Sequence, residues 1–134
     1  MVKVRLRTSR REEALDVTEK VRRAVAESGI REGTCTVFAP HTTCAIAVNE
    51  GHDPAVIEDF LNHIRELVPR EAGFEHAEGN SDSHIKALLV GPSATVPVSG
   101  GEVRLGQWQA IFMCEFDGPR ERSLWVTVTG ERGR

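Results

Sequence analysis

A polar segment at positions 76–84 stands directly before the mostly apolar run 85–90. It contains two imidazoles, two carboxylates, one amide and two hydroxyls within nine positions. Gly79, Asn80 and Ser81 favour a turn, but a turn does not need histidines and acids on both sides. The segment therefore predicts a loop that binds a metal, moves protons or holds an anion. His41 offers a third imidazole from elsewhere in the chain.

The bulk composition predicts one globular domain that spans residues 1–134. Apolar residues make up 40% and charged residues 28%, and the net charge is −3, so binding to nucleic acid has no electrostatic support. The N-terminal residues resemble neither a signal peptide nor a membrane span. Because three cysteines occur without CxxC spacing, we expect reduced, buried thiols in a cytoplasmic protein.

Most of the chain is predicted to form strands, because its segments either alternate apolar with polar residues or are rich in residues that favour β-structure. Residues 31–33 and 99–101 have the composition of turns, and Gly106 predicts an irregular start to a long strand. The predicted strands are 2–6, 14–17, 34–39, 44–48, 94–98, 102–116 and 123–129.

Three segments predict helices. Thr18 is a favourable N-cap for a helix that ends at Gly29. Asp53, followed by Pro54, begins a second helix, and Pro69 ends it. A short helix is expected over 83–90. These elements together predict an α+β fold, a single compact domain of mainly antiparallel or mixed sheet with two longer helices and one short helix.

The three imidazoles His41, His76 and His84 predict a site for zinc or another divalent metal. Their spacing matches no known metal code, and for one isolated histidine a surface position is favoured, whereas two in so polar a loop before a helix favour a function. The segment Asn80–Ser83 also leads into a helix N-terminus, which favours an anion. Asp82 would oppose that anion unless a metal or an arginine neutralises it, and simple N-capping explains Ser81 and Asp82 equally well.

A second polar segment follows the long predicted strand. Glu115 and Asp117 alternate on it, and Arg120 could clamp a phosphate bidentately, although a charged hairpin explains the pattern as well. Trp108 could stack on a flat ring, or belong to the core or an interface. Glu50 and His41 fall at opposite ends of one predicted strand, so a shared site requires bending or a neighbouring subunit.

These motifs resemble the YjbQ-like family, also called the secondary thiamine-phosphate synthase family. The motifs run over nearly the whole chain: His41-Thr42-Thr43, Asn49-Glu50, His76-x-Glu78-Gly79-Asn80-x-Asp82-x-His84, Leu105-Gly106-x-Trp108-Gln109 and Glu115-x-Asp117-Gly118-Pro119-Arg120. Ser81 and Ser83 stand where small residues such as alanine are common in the family.

The resemblance implies a homotrimer and an enzyme of small phosphorylated heterocycles with thiamine-phosphate synthase-like transferase activity. The expected partner is a small phosphorylated substrate, with no nucleic acid and no membrane, and the expected cofactor is a divalent metal (zinc, manganese or magnesium). Two alternatives remain open: a metal-dependent hydrolase or lyase, and a non-catalytic trimeric protein that binds a small anion or metal. The predicted catalytic residues are His84, Asp82, Glu115 and Arg120; the predicted substrate-binding residues are Asn49, Glu50, Asn80, Ser81, Trp108, Gln109 and Asp117; the predicted metal ligands are His41, His76 and His84.

Overall fold

Two antiparallel sheets and three helices make up the computed structural model, which describes residues 1–133. The strands are β1 (Val2–Arg7), β2 (Glu13–Asp16), β3 (Ile30–Phe38), β4 (Cys44–Glu50), β5 (Ser93–Ser99), β6 (Glu102–Val103), β7 (Gln109–Glu115) and β8 (Glu121–Arg132). The helices are α1 (Thr18–Ser28), α2 (Pro54–Leu67) and α3 (Ser81–Val90). The predicted α+β architecture is thereby confirmed.

The ends of α1 and α2 follow mainly from local sequence. The Asp53 carboxylate accepts a hydrogen bond from the Ala55 amide at 2.9 Å and caps α2, as predicted. Gly29 ends α1 with a left-handed φ of 73°. The predicted cap at Thr18 is wrong, because Val17 is the N-cap and the Thr18 hydroxyl instead accepts a hydrogen bond from Ile111 of β7.

The start of α3 differs from the prediction by two residues. The helix begins at Ser81 rather than Ser83, and Asn80 is its N-cap without a side-chain capping bond. The Ser83 hydroxyl instead donates to the Phe116 carbonyl at 2.5 Å, which ties the first turn of α3 to the end of β7. Ser83 is fully buried, so this serine has a definite structural role.

The five-stranded sheet has the order β1-β8-β3-β5-β6, and the three-stranded sheet has the order β2-β7-β4. The turn predicted at 31–33 is wrong, because these residues continue β3, which pairs with β5 on one side and β8 on the other. A Cβ atom on Gly33 would lie 1.9 Å from the Thr129 carbonyl oxygen, so the glycine permits close approach of β8. The single strand predicted over 102–116 is also wrong, since β6 and β7 belong to different sheets.

The three-stranded sheet lies between two apolar layers. Ile111 and Met113 of β7 belong to the core that contains residues of both sheets and of α1. The alternate residues Ala110 and Phe112 belong to a second core that contains residues of α2 and α3. Because both faces of β7 are covered, its sequence is apolar almost throughout and lacks the alternation of a half-exposed strand.

Within residues 1–133, no helix is long and apolar enough to span a membrane.

Candidate functional site

Three chain segments meet around one open cavity of about 390 Å³. They are the connection between β3 and β4, the segment that leads into α3, and the turn between β7 and β8. The cavity lies at the end of the sheets where β4 begins and β7 ends. Its polar lining residues are His41, Thr42, Thr43, Glu78, Asn80, His84, Asp117, Arg120 and Arg122.

A buried ion pair between Glu115 and Arg122 forms the base of this site. The Arg122 Nε donates to Glu115 Oε1 at 2.8 Å, and the Arg122 Nη2 also donates to Glu115 Oε2 and to the Thr43 hydroxyl. The Thr8 hydroxyl donates to Glu115 Oε1 at 2.7 Å. Glu115 is fully buried, so its carboxylate holds the two sheets together and is closed off from the cavity.

The pattern of β-strand side chains explains why this ion pair is buried. In β7, Glu115 follows Ile111 and Met113 with a period of two, and both belong to the core between the sheets. In β8, Arg122 precedes the core residue Leu124 with the same period. The two charged side chains therefore point inward from opposite sheets and meet at the edge of the core, where each neutralises the other.

The His41 imidazole contacts the backbone of Ser123 through Nε2. The Ser123 amide donates to this nitrogen at 3.0 Å, and the Ser123 carbonyl oxygen lies 3.2 Å from it. Burial, and then the nearby Arg122 guanidinium, lower the pKa of His41 below its ordinary value. In the neutral tautomer whose Nε2 accepts from the Ser123 amide, the proton is on Nδ1.

Arg120, Asn80 and Asp117 form a hydrogen-bonded group on the cavity wall. The Arg120 Nη2 and the Asn80 Nδ2 both donate to Asp117 Oδ2, at 3.0 and 2.8 Å, and the Arg120 Nε donates to the Asp117 carbonyl. A guanidinium has five N–H groups, so three remain after these two contacts. The Asn80 Oδ1 is buried and has no hydrogen-bond partner among the described residues.

His84, in the first turn of α3, contacts His76 of the segment before the helix. Their ring centroids are 5.2 Å apart in an edge-to-face arrangement, and His76 Nε2 lies 3.8 Å from Glu78 Oε2. His84 lines the cavity together with His41. The structure thus brings all three predicted histidines to the same end of the molecule.

These histidines do not form a preformed metal centre. Within residues 1–133, no group of three or more His, Cys, Asp or Glu side chains has an arrangement that could hold a metal ion. The His41 Nε2 is also engaged by the Ser123 amide. The residues present do not fit a three-histidine metal site, and the divalent metal stays a prediction.

Asp82 lies beneath the cavity in a buried charge cluster. Arg11 binds its two carboxylate oxygens at 3.1 and 3.2 Å, and the Lys86 Nζ lies 2.8 Å from Oδ2. Burial alone would raise the pKa of Asp82, but the contacts with Arg11 and Lys86 outweigh it and lower the pKa. An anion near this helix N-terminus requires that the charge of Asp82 be neutralised. Arg11 and Lys86 provide this neutralisation. Ser81, the first residue of α3, is half-buried beside Asp82.

The remaining predicted residues form a second cluster at the far end of the same sheet. Cys44 pairs with Glu115 at one end of the β4–β7 ladder, and Glu50 pairs with Gln109 at the other. Six residues of strand separate these ends by about 20 Å. Within one chain, Asn49, Glu50, Trp108 and Gln109 therefore lie away from the histidine cavity, as the sequence indicated for His41 and Glu50. Trp108 is 52% exposed there and contacts His52 with ring centroids 5.0 Å apart.

The residues predicted from the sequence do not include Arg122, Lys86, Glu12 or Arg11. The signal for Arg122 was available in part, because a charged residue at an inward position of a strand requires a partner. The spacing of Lys86 four residues after Asp82 predicts a helical ion pair. Nothing local indicated that Glu12 would complete it.

Comparison with known proteins shows the family of this chain. The family described as UPF0047 protein YjbQ-like matches residues 2–131. This chain belongs to the YjbQ-like family. It is 42% identical over 132 residues to a UPF0047 protein of Methanocaldococcus jannaschii, an alignment that covers 98% of this chain and 96% of the relative. It is 40% identical over 128 residues to the UPF0047 protein YugU of Bacillus subtilis, covering 95% and 97% of the two chains.

Solved structures of YjbQ-like proteins share the fold. A family member from Clostridium acetobutylicum superposes with a TM-score of 0.95 at 41% identity and covers 96% of this chain and 100% of its own. A YbjQ-like protein of unknown function from Sulfolobus solfataricus gives a TM-score of 0.93 at 36% identity, with 97% and 96% coverage. The Clostridium protein is described as uncharacterized.

Proposed function

We propose that this protein is an enzyme that acts on a small phosphorylated molecule, bound between Arg120 and the two histidines His41 and His84. The observation that carries the proposal is the concentration of unused hydrogen-bond donors in one cavity. Arg120 retains three N–H groups beyond its bonds to Asp117, and His41 presents an Nδ1–H in the tautomer whose Nε2 accepts from the Ser123 amide. The carboxylates of Glu78 and Asp117 also line the cavity, but Asp117 is already paired with Arg120 and Asn80. Several donors on one cavity favour an anion with several oxygens, such as a phosphate.

The charge cluster under α3 supports binding of an anion. Asp82 occupies the first turn of α3, where a free carboxylate would repel a phosphate. Its ion pairs with Arg11 and Lys86 remove that repulsion. The positive end of the α3 dipole then adds to the field of Arg120 on the same cavity.

His84 is the best candidate for proton transfer in this enzyme. It lines the cavity and contacts only the edge of His76 among the aromatic rings that the structure describes. Imidazole is the side chain whose ordinary pKa lies nearest neutral pH, which suits a general acid or base. The pKa of His41, in contrast, is lowered by burial and then by Arg122, which favours the neutral ring and suits it to donate a hydrogen bond.

The specific reaction that we propose is thiamine-phosphate synthesis. The thiazole phosphate nitrogen bonds to the methylene carbon of the pyrimidine methyl diphosphate, the bond from that carbon to oxygen breaks, and pyrophosphate leaves with the electron pair. Such a departure needs positive charge or hydrogen-bond donors at the leaving oxygens. Arg120, His41 and the α3 N-terminus supply these groups, and His84 in its protonated form donates its proton to the leaving pyrophosphate oxygen.

The experiment measures phosphate binding and synthase turnover on matched variants. Arg120→Gln removes the cavity guanidinium, whereas Arg7→Gln removes an exposed guanidinium of β1 that is paired with Glu121 and does not line the cavity. We expect Arg120→Gln to weaken binding of inorganic phosphate about ten- to hundredfold, and Arg7→Gln to leave it unchanged. Equal affinities in all three proteins would overturn the phosphate site.

His84→Ala provides the catalytic test, with His63→Ala on the exposed face of α2 as its control. We expect pyrophosphate release to fall about a hundredfold or more in His84→Ala alone. Phosphate binding that depends on Arg120, combined with no release of pyrophosphate in the wild type, would reject the synthase reaction and keep the binding site.

We also propose that the protein assembles as a homotrimer. Within one chain the histidine cavity and the Trp108 cluster lie at opposite ends of the β4–β7 ladder, so a site that uses residues of both requires a neighbouring subunit. Light scattering coupled to size-exclusion chromatography measures the mass directly, and a monomer at micromolar concentration would reject the trimer.

A further inference from the structure

Two adjoining cavities of opposite character share the residues of the candidate site. The polar cavity described above is lined by His41, Thr42 and His84, and the same three residues line a second cavity of about 330 Å³. The second cavity is completed by Cys44, Ala87, Leu88 and Pro92. The histidines therefore stand at the boundary between a region rich in N–H donors and a region of carbon surface.

We infer that the second cavity, which we call the Leu88 subsite, binds the non-phosphate part of the substrate, and that this part is an apolar, ring-sized group. The inference rests on the proposed phosphate site, since the anion fixes which end of the ligand faces Arg120. A ligand that bridges His41 and His84 has its phosphate on the polar side. Its remaining atoms then contact Ala87, Leu88 and Pro92, which offer no charge and favour an apolar surface.

The position of Leu88 distinguishes it from an ordinary exposed leucine. Leu88 is 81% exposed, and single exposed apolar residues are common on protein surfaces. Its neighbour Leu89 is also exposed, at 61%, but Leu89 does not line the cavity. Leu88 instead lies one helical turn after His84 on α3, so the spacing of the helix places it beside the imidazole.

The size of the subsite limits the group that it accepts. A cavity of about 330 Å³ is at the lower end of the range for small-molecule sites. It suits a single aromatic or heteroaromatic ring. Cys44 and Ala87 are both buried at its base, so the depth of the subsite is set by the packing of β4 against α3.

The test compares inorganic phosphate with phenyl phosphate, which adds one apolar ring to the same anion. Binding is followed by calorimetry for the full chain and for the variants Leu88→Asn and Leu89→Asn. We expect the wild type to bind phenyl phosphate about tenfold more tightly than inorganic phosphate. Leu88→Asn should remove most of this preference without changing the affinity for inorganic phosphate, and Leu89→Asn should preserve it.

The other possible results show whether the Leu88 subsite alone fails or the phosphate site fails with it. Equal wild-type affinities for the two ligands, or a preference that survives in Leu88→Asn, would overturn the Leu88 subsite and leave the phosphate site intact. If neither ligand binds, both proposals fail. The mass of each variant is measured by light scattering in the same experiments. A Leu88→Asn variant that changes its assembly state but keeps its ligand preference would assign Leu88 to contact between copies of the chain, and this also overturns the subsite.

Discussion

Lys86 and Glu12 form an ion pair that joins α3 to the segment before β2, with Nζ and Oε2 2.5 Å apart. The Lys86 side chain is 1% exposed and that of Glu12 is 7% exposed. Lys86 also contacts Asp82 of its own helix, and Arg65 of α2 contacts Glu12 at 2.6 Å. The pair therefore fixes α3, which carries His84, to the rest of the molecule.

The first prediction concerns removal of the lysine from this cluster. Lys86→Met would leave the buried Asp82 and Glu12 carboxylates with too little positive charge, and we expect it to lower the free energy of unfolding by about 3–5 kcal/mol. Urea denaturation followed by circular dichroism measures the change. The control is Lys20→Met on the exposed side of α1, which should change stability by at most about 0.5 kcal/mol. Similar losses for the two variants would contradict a structural role for Lys86.

The second prediction concerns acid stability. Burial alone would raise the pKa of Glu12, but its hydrogen bonds and ion pairs with Lys86 and Arg65 outweigh this effect and lower it below 4.5. The pKa of Asp82 is likewise lowered below 3.8. A carboxyl group whose pKa is lower in the folded state stabilises the protein above its unfolded pKa, and this stability is lost as the pH falls through the folded value.

We therefore expect the free energy of unfolding to decrease between about pH 5 and about pH 2. Glu12→Gln should reduce the slope of this decrease, because one of the shifted groups no longer titrates. Glu121→Gln, at an exposed position of β8, serves as the control. Denaturation curves at a series of pH values give the slopes, and a Glu12→Gln slope equal to that of the wild type would show that Glu12 does not contribute.

The third prediction concerns the protonation state of His41. Its pKa is lowered from 6.5, mainly because the ring is buried, and its Nε2 accepts from Ser123. We expect His41 to be mostly neutral at a pH where a histidine in an unstructured peptide is half protonated, with its proton on Nδ1. Nitrogen-15 NMR of the imidazole distinguishes the two tautomers and follows the titration. A proton on Nε2, or a midpoint at or above 6.5, would disagree with this site.

The fourth prediction concerns the close contact between β3 and β8. A Cβ atom at Gly33 would lie 1.9 Å from the Thr129 carbonyl oxygen, whereas one at Gly106 would lie 3.2 Å from the flexible Gln109 side chain. We expect Gly33→Ala to cost about 1–3 kcal/mol of stability, because backbone must shift to admit the methyl group. Gly106→Ala, where only a side chain must move, should cost clearly less. Thermal denaturation of both variants tests the difference.

Local sequence signals determined the elements whose stability is local. Asp53 and Pro54 predicted the start of α2, and Gly29 predicted the end of α1. The order of the motifs along the chain indicated the family. The same signals were wrong at residues 31–33, which look like a turn but continue β3. Pairing with β5 and β8 on both sides supplies the hydrogen bonds that override the local preference.

In the candidate site, too, local sequence indicated some features and tertiary packing decided the others. The sequence by itself identified His41, His84 and Arg120 as candidates for binding or catalysis. Polar and titratable residues in segments between apolar runs can be recognised without knowledge of the fold. Only the tertiary structure decided which of them meet in one cavity. It enclosed Glu115 with Arg122, which lie on different sheets, and Asp82 with Arg11, 71 positions away. Helix and strand periodicities extend over a few residues, whereas the partner of a buried charge depends on how the sheets pack, and no short stretch of sequence encodes that.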